Sequence, residues 1–176
     1  MFFSRFIATL GYVGYLPKAP GTWGTLVALP LVFFPSYIVF SVSVVSFFVG
    51  WWATYVLLSH QNNNDKDPSY IVIDEFAAMA LFLSGAGVCG GVDPLYWGQQ
   101  VLMIACAFAF FRFFDIIKPW PIGVIDAYFK NQSNVWAAFG VMIDDILAVI
   151  FALPLYYAFS FGIALYVAHF KESLLP

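Results

Sequence analysis

The chain has 176 residues, of which only 10% are charged, 62% are hydrophobic and 21% aromatic, with a formal net charge of −3. A soluble domain of this length carries about 25% charged residues, so a water-soluble globule is excluded, and no basic patch is large enough for nucleic acid. The composition predicts a single integral membrane domain over residues 1–176, with the bilayer as its solvent and partner.

The first residues, MFFSRFIATLGYVGYLPKAPGTWG, carry too many glycines and prolines for a signal peptide or a span. They read as a structured loop leading into a helix. Thr22 or Thr25 is placed to cap that helix, and the free N–H groups of its first turn suit an anion such as phosphate. Residues 26–34 are too short to cross a bilayer, which takes about 20 residues. A turn near Pro35 and a longer apolar run from Tyr37 to Leu58 follow.

Residues 59–69, SHQNNNDKDPS, are the most polar stretch and predict a water-exposed loop. Asp74 and Glu75 then stand directly before an apolar run that ends near Val92, loosened by Gly85, Gly87, Gly90 and Gly91, with a turn at Asp93-Pro94. Residues 95–111 return toward FRFFDIIKPWPIGVID. Here Arg112, Asp115 and Lys118 recur at steps of three, within about a third of a helix circumference. Pro119 disfavours helix at the residue before it, which puts Lys118 at the helix end. Residues 127–134 read as a second polar loop. The last apolar run, Val141 to Phe170, contains Asp144 and Asp145 near its start and a kink at Pro154. The whole predicts an all-α, polytopic membrane helical bundle of about four to five apolar helices.

Following these runs back and forth brings every polar cluster to one membrane face. Arg5, Lys18, Lys66, Arg112, Lys118 and Lys130 fall there and Lys171 on the other side, so counting Lys and Arg makes the site face cytoplasmic. Five carboxylates, Asp74, Glu75, Asp115, Asp144 and Asp145, converge at that boundary. Crowded in low dielectric, they take up protons or a cation. A hard divalent ion with oxygen ligands, Mg²⁺ by default, fits them. Arg112, with its fork of donors, and Lys118, a point charge, suit a phosphate group.

Carboxylates, metal and cations together describe phosphoryl-group hydrolysis by metal-activated water. Pairing of these charges merely to hold helices together is the plainer reading of any one of them, and Asp126 is as easily a cap or loop charge as a ligand. His60 and His169 lie outside the acid clusters. Cys106 and Arg112 have the Cys-x5-Arg spacing of thiolate phosphatases, but the intervening AFAFF has no glycine with which to wrap a phosphate. Cys89 and Cys106 suggest neither a disulfide nor a zinc site.

The motifs APGTWG (19–24), IVIDE (71–75), FRFFDIIKPWPI (111–122) with Asp126 following, and GVMIDDILA (140–148) occur in the order of the phosphatidylglycerophosphatase A family, which the chain resembles over most of its length. The resemblance implies a Mg²⁺-dependent enzyme of the bacterial inner membrane that hydrolyses phosphatidylglycerophosphate to phosphatidylglycerol and phosphate. It implies Asp74, Glu75, Asp115, Asp144 and Asp145 as catalytic, with Asp74, Glu75, Asp144 and Asp145 on the metal. Arg112 and Lys118 would bind phosphate, assisted by Thr22. The chain departs from the family pattern at Gly123, where a basic residue is usual, across KNQSNVWAAF (130–139), and at Val149. The rival from another class is a small ion or solute transporter, whose acids would be spread through the membrane depth.

Overall fold

A computed structural model describes residues 1–60, 65–91 and 96–173, with side chains to residue 167 and that of His169. The expected turn at Asp93-Pro94, residues 61–64 of the polar loop and the side chain of Lys171 lie outside the described residues. All regular structure among the described residues is helical. The order is α1 (Phe2–Ala8), α2 (Pro20–Ala28) running into a 3-10 segment (Leu29–Phe33), α3 (Ser36–Ser59), α4 (Ile73–Gly85), α5 (Trp97–Ile117), α6 (Ile122–Lys130) and α7 (Asn134–Ser173).

Among the described residues, three helices are long and apolar enough to cross a membrane: α3, α5 and the Asn134–Val167 part of α7. At 1.5 Å per residue the 24 residues of α3 and 21 of α5 extend about 36 and 32 Å, against a hydrocarbon core of about 30 Å. α4 and the Pro20–Phe33 segment are also apolar but too short to cross, so membrane-length helices alone do not make up the expected four to five. α7 continues through Pro154 as one helix.

The short helix α4 is the buried centre. Its Ala77, Ala78, Met79, Ala80, Phe82 and Leu83 have no measurable exposure, because the helix is apolar all round and packed on every side. Small residues let the backbones approach: Ser43 of α3 donates to the Ala77 carbonyl at 2.8 Å, and a Cβ on Gly50 would lie 2.9 Å from Met142 Cε. α4 stops short of the far side, where its last carbonyls need protein donors in place of water. Tyr157 Oη donates to the Gly85 carbonyl, Tyr156 Oη to Ala86 at 3.3 Å, and Cys89 Sγ to Leu83 at 3.2 Å. The glycines after it take positive φ, and Gly90 N–H donates to the Val32 and Phe34 carbonyls, fastening that turn to the 3-10 segment.

Two local expectations are corrected. Residues 127–130 are the second half of α6, so the polar loop shrinks to the three residues between α6 and α7. Neither threonine caps α2: Ala19 is its N-cap, at φ 49°, and Thr25 Oγ1 donates back to the Gly21 carbonyl at 2.9 Å. A hydroxyl one turn inside a helix finds the preceding carbonyl before it can reach the exposed N–H groups.

Candidate active site

The first turns of α2 and α4, the C-terminal end of α5 and the fourth turn of α7 meet around a cavity of about 320 Å³. Its lining includes all five expected acids together with Arg112 and Lys118. Thr22 is half-buried in the first turn of α2 and outside that lining, which takes Ala19, Pro20 and Gly21 from the same segment.

The acids divide into two groups. One carboxylate oxygen each from Asp74, Glu75 and Asp145 lie within 4.8 Å of one another. Asp74 Oδ1, Glu75 Oε2 and Asp145 Oδ2 are buried without a hydrogen-bond partner. Three ionised carboxylates at this spacing repel by at least about 3 kcal/mol per pair, even at an effective dielectric of about 20. Burial pushes the Asp74 carboxyl well above the ordinary carboxylate range, with Glu75 beside it adding to the effect. Burial likewise lifts Glu75 from 4.5 to about 8, Asp145 and Asp115 adding to it and Arg112 opposing. Three orphaned, inward-facing carboxylate oxygens are the donor set of a hard cation, and no softer ligand stands among them.

Asp144 belongs to the other group. It was expected beside Asp145 on the metal, yet adjacent residues on a helix project about 100° apart, and Asp144 turns to Lys118 instead. Its Oδ1 also accepts the Asp145 backbone N–H at 3.0 Å. Lys118 ends α5 in the left-handed conformation, φ 44°, and there reaches both Asp144 and Asp126, the latter at 3.4 Å. Lys130 closes the chain of charges, 2.9 Å from both Asp126 and Asp67. The field of these acids raises the Lys118 ammonium above its ordinary pKa against the opposing effect of burial. Arg112 Nη1 lies 2.5 Å from Asp115 Oδ2 and 4.0 Å from Glu75 Oε1, while Nε and Nη1 have no hydrogen-bond acceptor in line. Nη1 is thus held in the ion pair with Asp115, and Nε is buried without a hydrogen-bond partner.

The sequence reading missed Asp67, Ser69 and Gly21. Asp67 sits in the polar loop, where its closeness in sequence to the IVIDE motif was the available signal. Gly21 is required by proximity: a Cβ there would overlap Glu75 Oε1 and lie 3.3 Å from Arg112 Nη1.

The sequence model of the family described as Phosphatidylglycerophosphatase A matches residues 6–160. The chain belongs to the phosphatidylglycerophosphatase A family. It is 32% identical to the phosphatidylglycerophosphatase A of Haemophilus influenzae over 155 residues, 84% of this chain and 83% of that protein. To the Escherichia coli phosphatidylglycerophosphatase A it is 32% identical over 151 residues, 82% of this chain and 76% of that one. A Bacteroides thetaiotaomicron protein, named as a candidate phosphatidylinositol-3-phosphatase, is also 32% identical, over 81% of this chain and 84% of its own. No solved structure matches. The match to the family model covers every element that lines the cavity, from α2 through the DD pair of α7.

Proposed function

We propose that this protein is a Mg²⁺-dependent phosphatidylglycerophosphate phosphatase of the bacterial inner membrane, crossing it several times, with the site open to the cytoplasm. The observation that carries the reading is the single cavity in which a carboxylate trio with orphaned oxygens faces two cations. Membership of the family supplies the substrate class. The acids gather at one end of the long helices, as a headgroup site requires and an ion path through the membrane does not. Six of the seven Lys and Arg fall on the elements at the site end, which supports the cytoplasmic orientation. Exposed Trp23, Trp120 and Trp136 on the same elements suit a membrane–water boundary.

Asp74, Glu75 and Asp145 would hold the Mg²⁺, which when bound polarises the phosphate and lowers the pKa of an attacking water. The chain's own residues do the rest. Arg112 would offer its guanidinium to phosphate oxygens, held in place by Asp115. Lys118 adds positive charge, restrained by Asp144 and Asp126. Asp115 and Asp144, outside the trio, are the carboxylates available to take the proton of the attacking water. The water oxygen would bond to phosphorus as the bond from phosphorus to the glycerol oxygen breaks, and the proton taken from the water would pass to that oxygen, giving phosphatidylglycerol and inorganic phosphate.

The Bacteroides relative carries a different lipid in its name at the same identity, so substrate choice needs its own measurement. Purified protein in detergent micelles should show a higher kcat/KM for phosphatidylglycerophosphate than for phosphatidylinositol 3-phosphate or phosphatidate. A preference for either of the others would move the assignment to that lipid.

A further inference from the structure

An apolar groove of about 520 Å³ lies between α5 and α7, lined by Cys106, Ala109, Phe110, Phe113 and Phe114 of α5 and by Leu155 and Phe159 of α7. Its volume falls within the range of ligand sites, about 300–1,000 Å³. The sulfur of Cys106 is the only heteroatom among these seven side chains. One segment of α5 lines both: Arg112, Asp115 and Ile116 line the polar cavity, and Phe110, Phe113 and Phe114 line the groove.

We propose that this groove is the track of one acyl chain of the lipid phosphate, an inference that rests on the phosphatase reading above. Its length argues for that occupant. From Asp115 to Cys106 is nine residues, or about 14 Å along the helix. One leaflet is half of a hydrocarbon core of about 30 Å, so the groove runs from headgroup depth to near the midplane. The side chains complete its walls because Cα–Cβ bonds tilt toward a helix N-terminus. Those of α5 therefore lean away from the cavity and those of α7 lean back toward it, and Phe110 meets Phe159 edge to face at 5.8 Å. A bulk lipid or a second copy of the chain would also suit an apolar surface, but neither is tied to the phosphate site.

The test compares dioleoyl phosphatidylglycerophosphate with its dibutanoyl analogue, whose chains stop short of Ala109. Ala109 is exposed on the groove wall, so Ala109→Phe narrows the track without disturbing the core. It should lower kcat/KM for the dioleoyl lipid about tenfold and leave the dibutanoyl lipid within about twofold. Leu155→Trp should do the same from the facing wall. Val101→Phe, exposed on α5 outside the groove, should leave the ratio of the two lipids unchanged. Equal effects on both lipids, no effect on either, or the same shift from Val101→Phe would each overturn the groove assignment alone. A wild type inactive on both lipids would overturn the phosphatase reading and this inference with it.

Discussion

Lys118→Met removes the only cation paired with Asp144 among the described residues, and the consequence can be worked out from the neighbours. The Asp144 side chain is 4% exposed and keeps a single hydrogen bond, from the Asp145 backbone N–H, once Lys118 is gone. Asp126 is spared, because Lys130 still stands 2.9 Å from it. Removing one partner of a buried ion pair costs about 3–5 kcal/mol, chiefly through the charge left behind. With Asp126 compensated and Lys118 itself a quarter exposed, the low end applies, about 3 kcal/mol. For a chain of this size that corresponds to a fall in Tm of about 6–12 °C. Thermal unfolding in one detergent, without divalent cations, measures it. Lys118→Met/Asp144→Asn should recover about 2 kcal/mol of the loss, since an amide needs no counter-charge. A double variant no more stable than Lys118→Met would refute the pairing as the source of the effect, as would a single variant indistinguishable from wild type.

Gly21→Ala should lower kcat by about 100-fold with a Tm within a few degrees of wild type, because the added methyl displaces only the flexible end of Glu75, yet an ångström of misplacement at a reacting centre costs about that much. Activity loss matched by unfolding would instead make Gly21 a packing residue. The metal-free protein should lose stability between about pH 5 and pH 8. Glu75 titrates near 8 when folded and near 4.5 when unfolded, so the folded state binds more protons across that window and stability falls as pH rises through it. Melting temperatures in EDTA that climb over the same range would contradict the buried, repelling trio.

Much of the site was legible in the sequence because charge is so scarce in this chain. Asp74-Glu75, Arg112, Asp115, Lys118 and Asp144-Asp145 stand out against apolar runs, and the direction of those runs alone brings them to one end. Pro119 placed Lys118 at a helix terminus, where it is found. The division of labour among the acids was not legible, since it depends on rotation about α7: Asp145 faces the trio and its neighbour Asp144 faces Lys118. α6 was hidden because its polar residues, Asp126 and Lys130, are spaced one turn apart to pair with each other and with Lys118 and Asp67, which in sequence looks like a solvated loop. The run expected to end near Val92 is longer than α4 because the apolar composition continues after the helix has ended at Gly85. What ends it is a set of donors from elsewhere in the fold, Tyr156 and Tyr157 above all, that no local pattern announces.

The central claim is that the Asp74–Glu75–Asp145 trio binds a cation required to remove phosphate from a lipid. Phosphate release from phosphatidylglycerophosphate in micelles, with Mg²⁺ or with EDTA, for wild type and Asp145→Asn, tests it most directly. Release is expected only with Mg²⁺ and at least 100-fold less from the folded variant, with a Mg²⁺-induced rise in Tm that the variant lacks. Release that survives EDTA, or an Asp145→Asn protein as active as wild type, would contradict it.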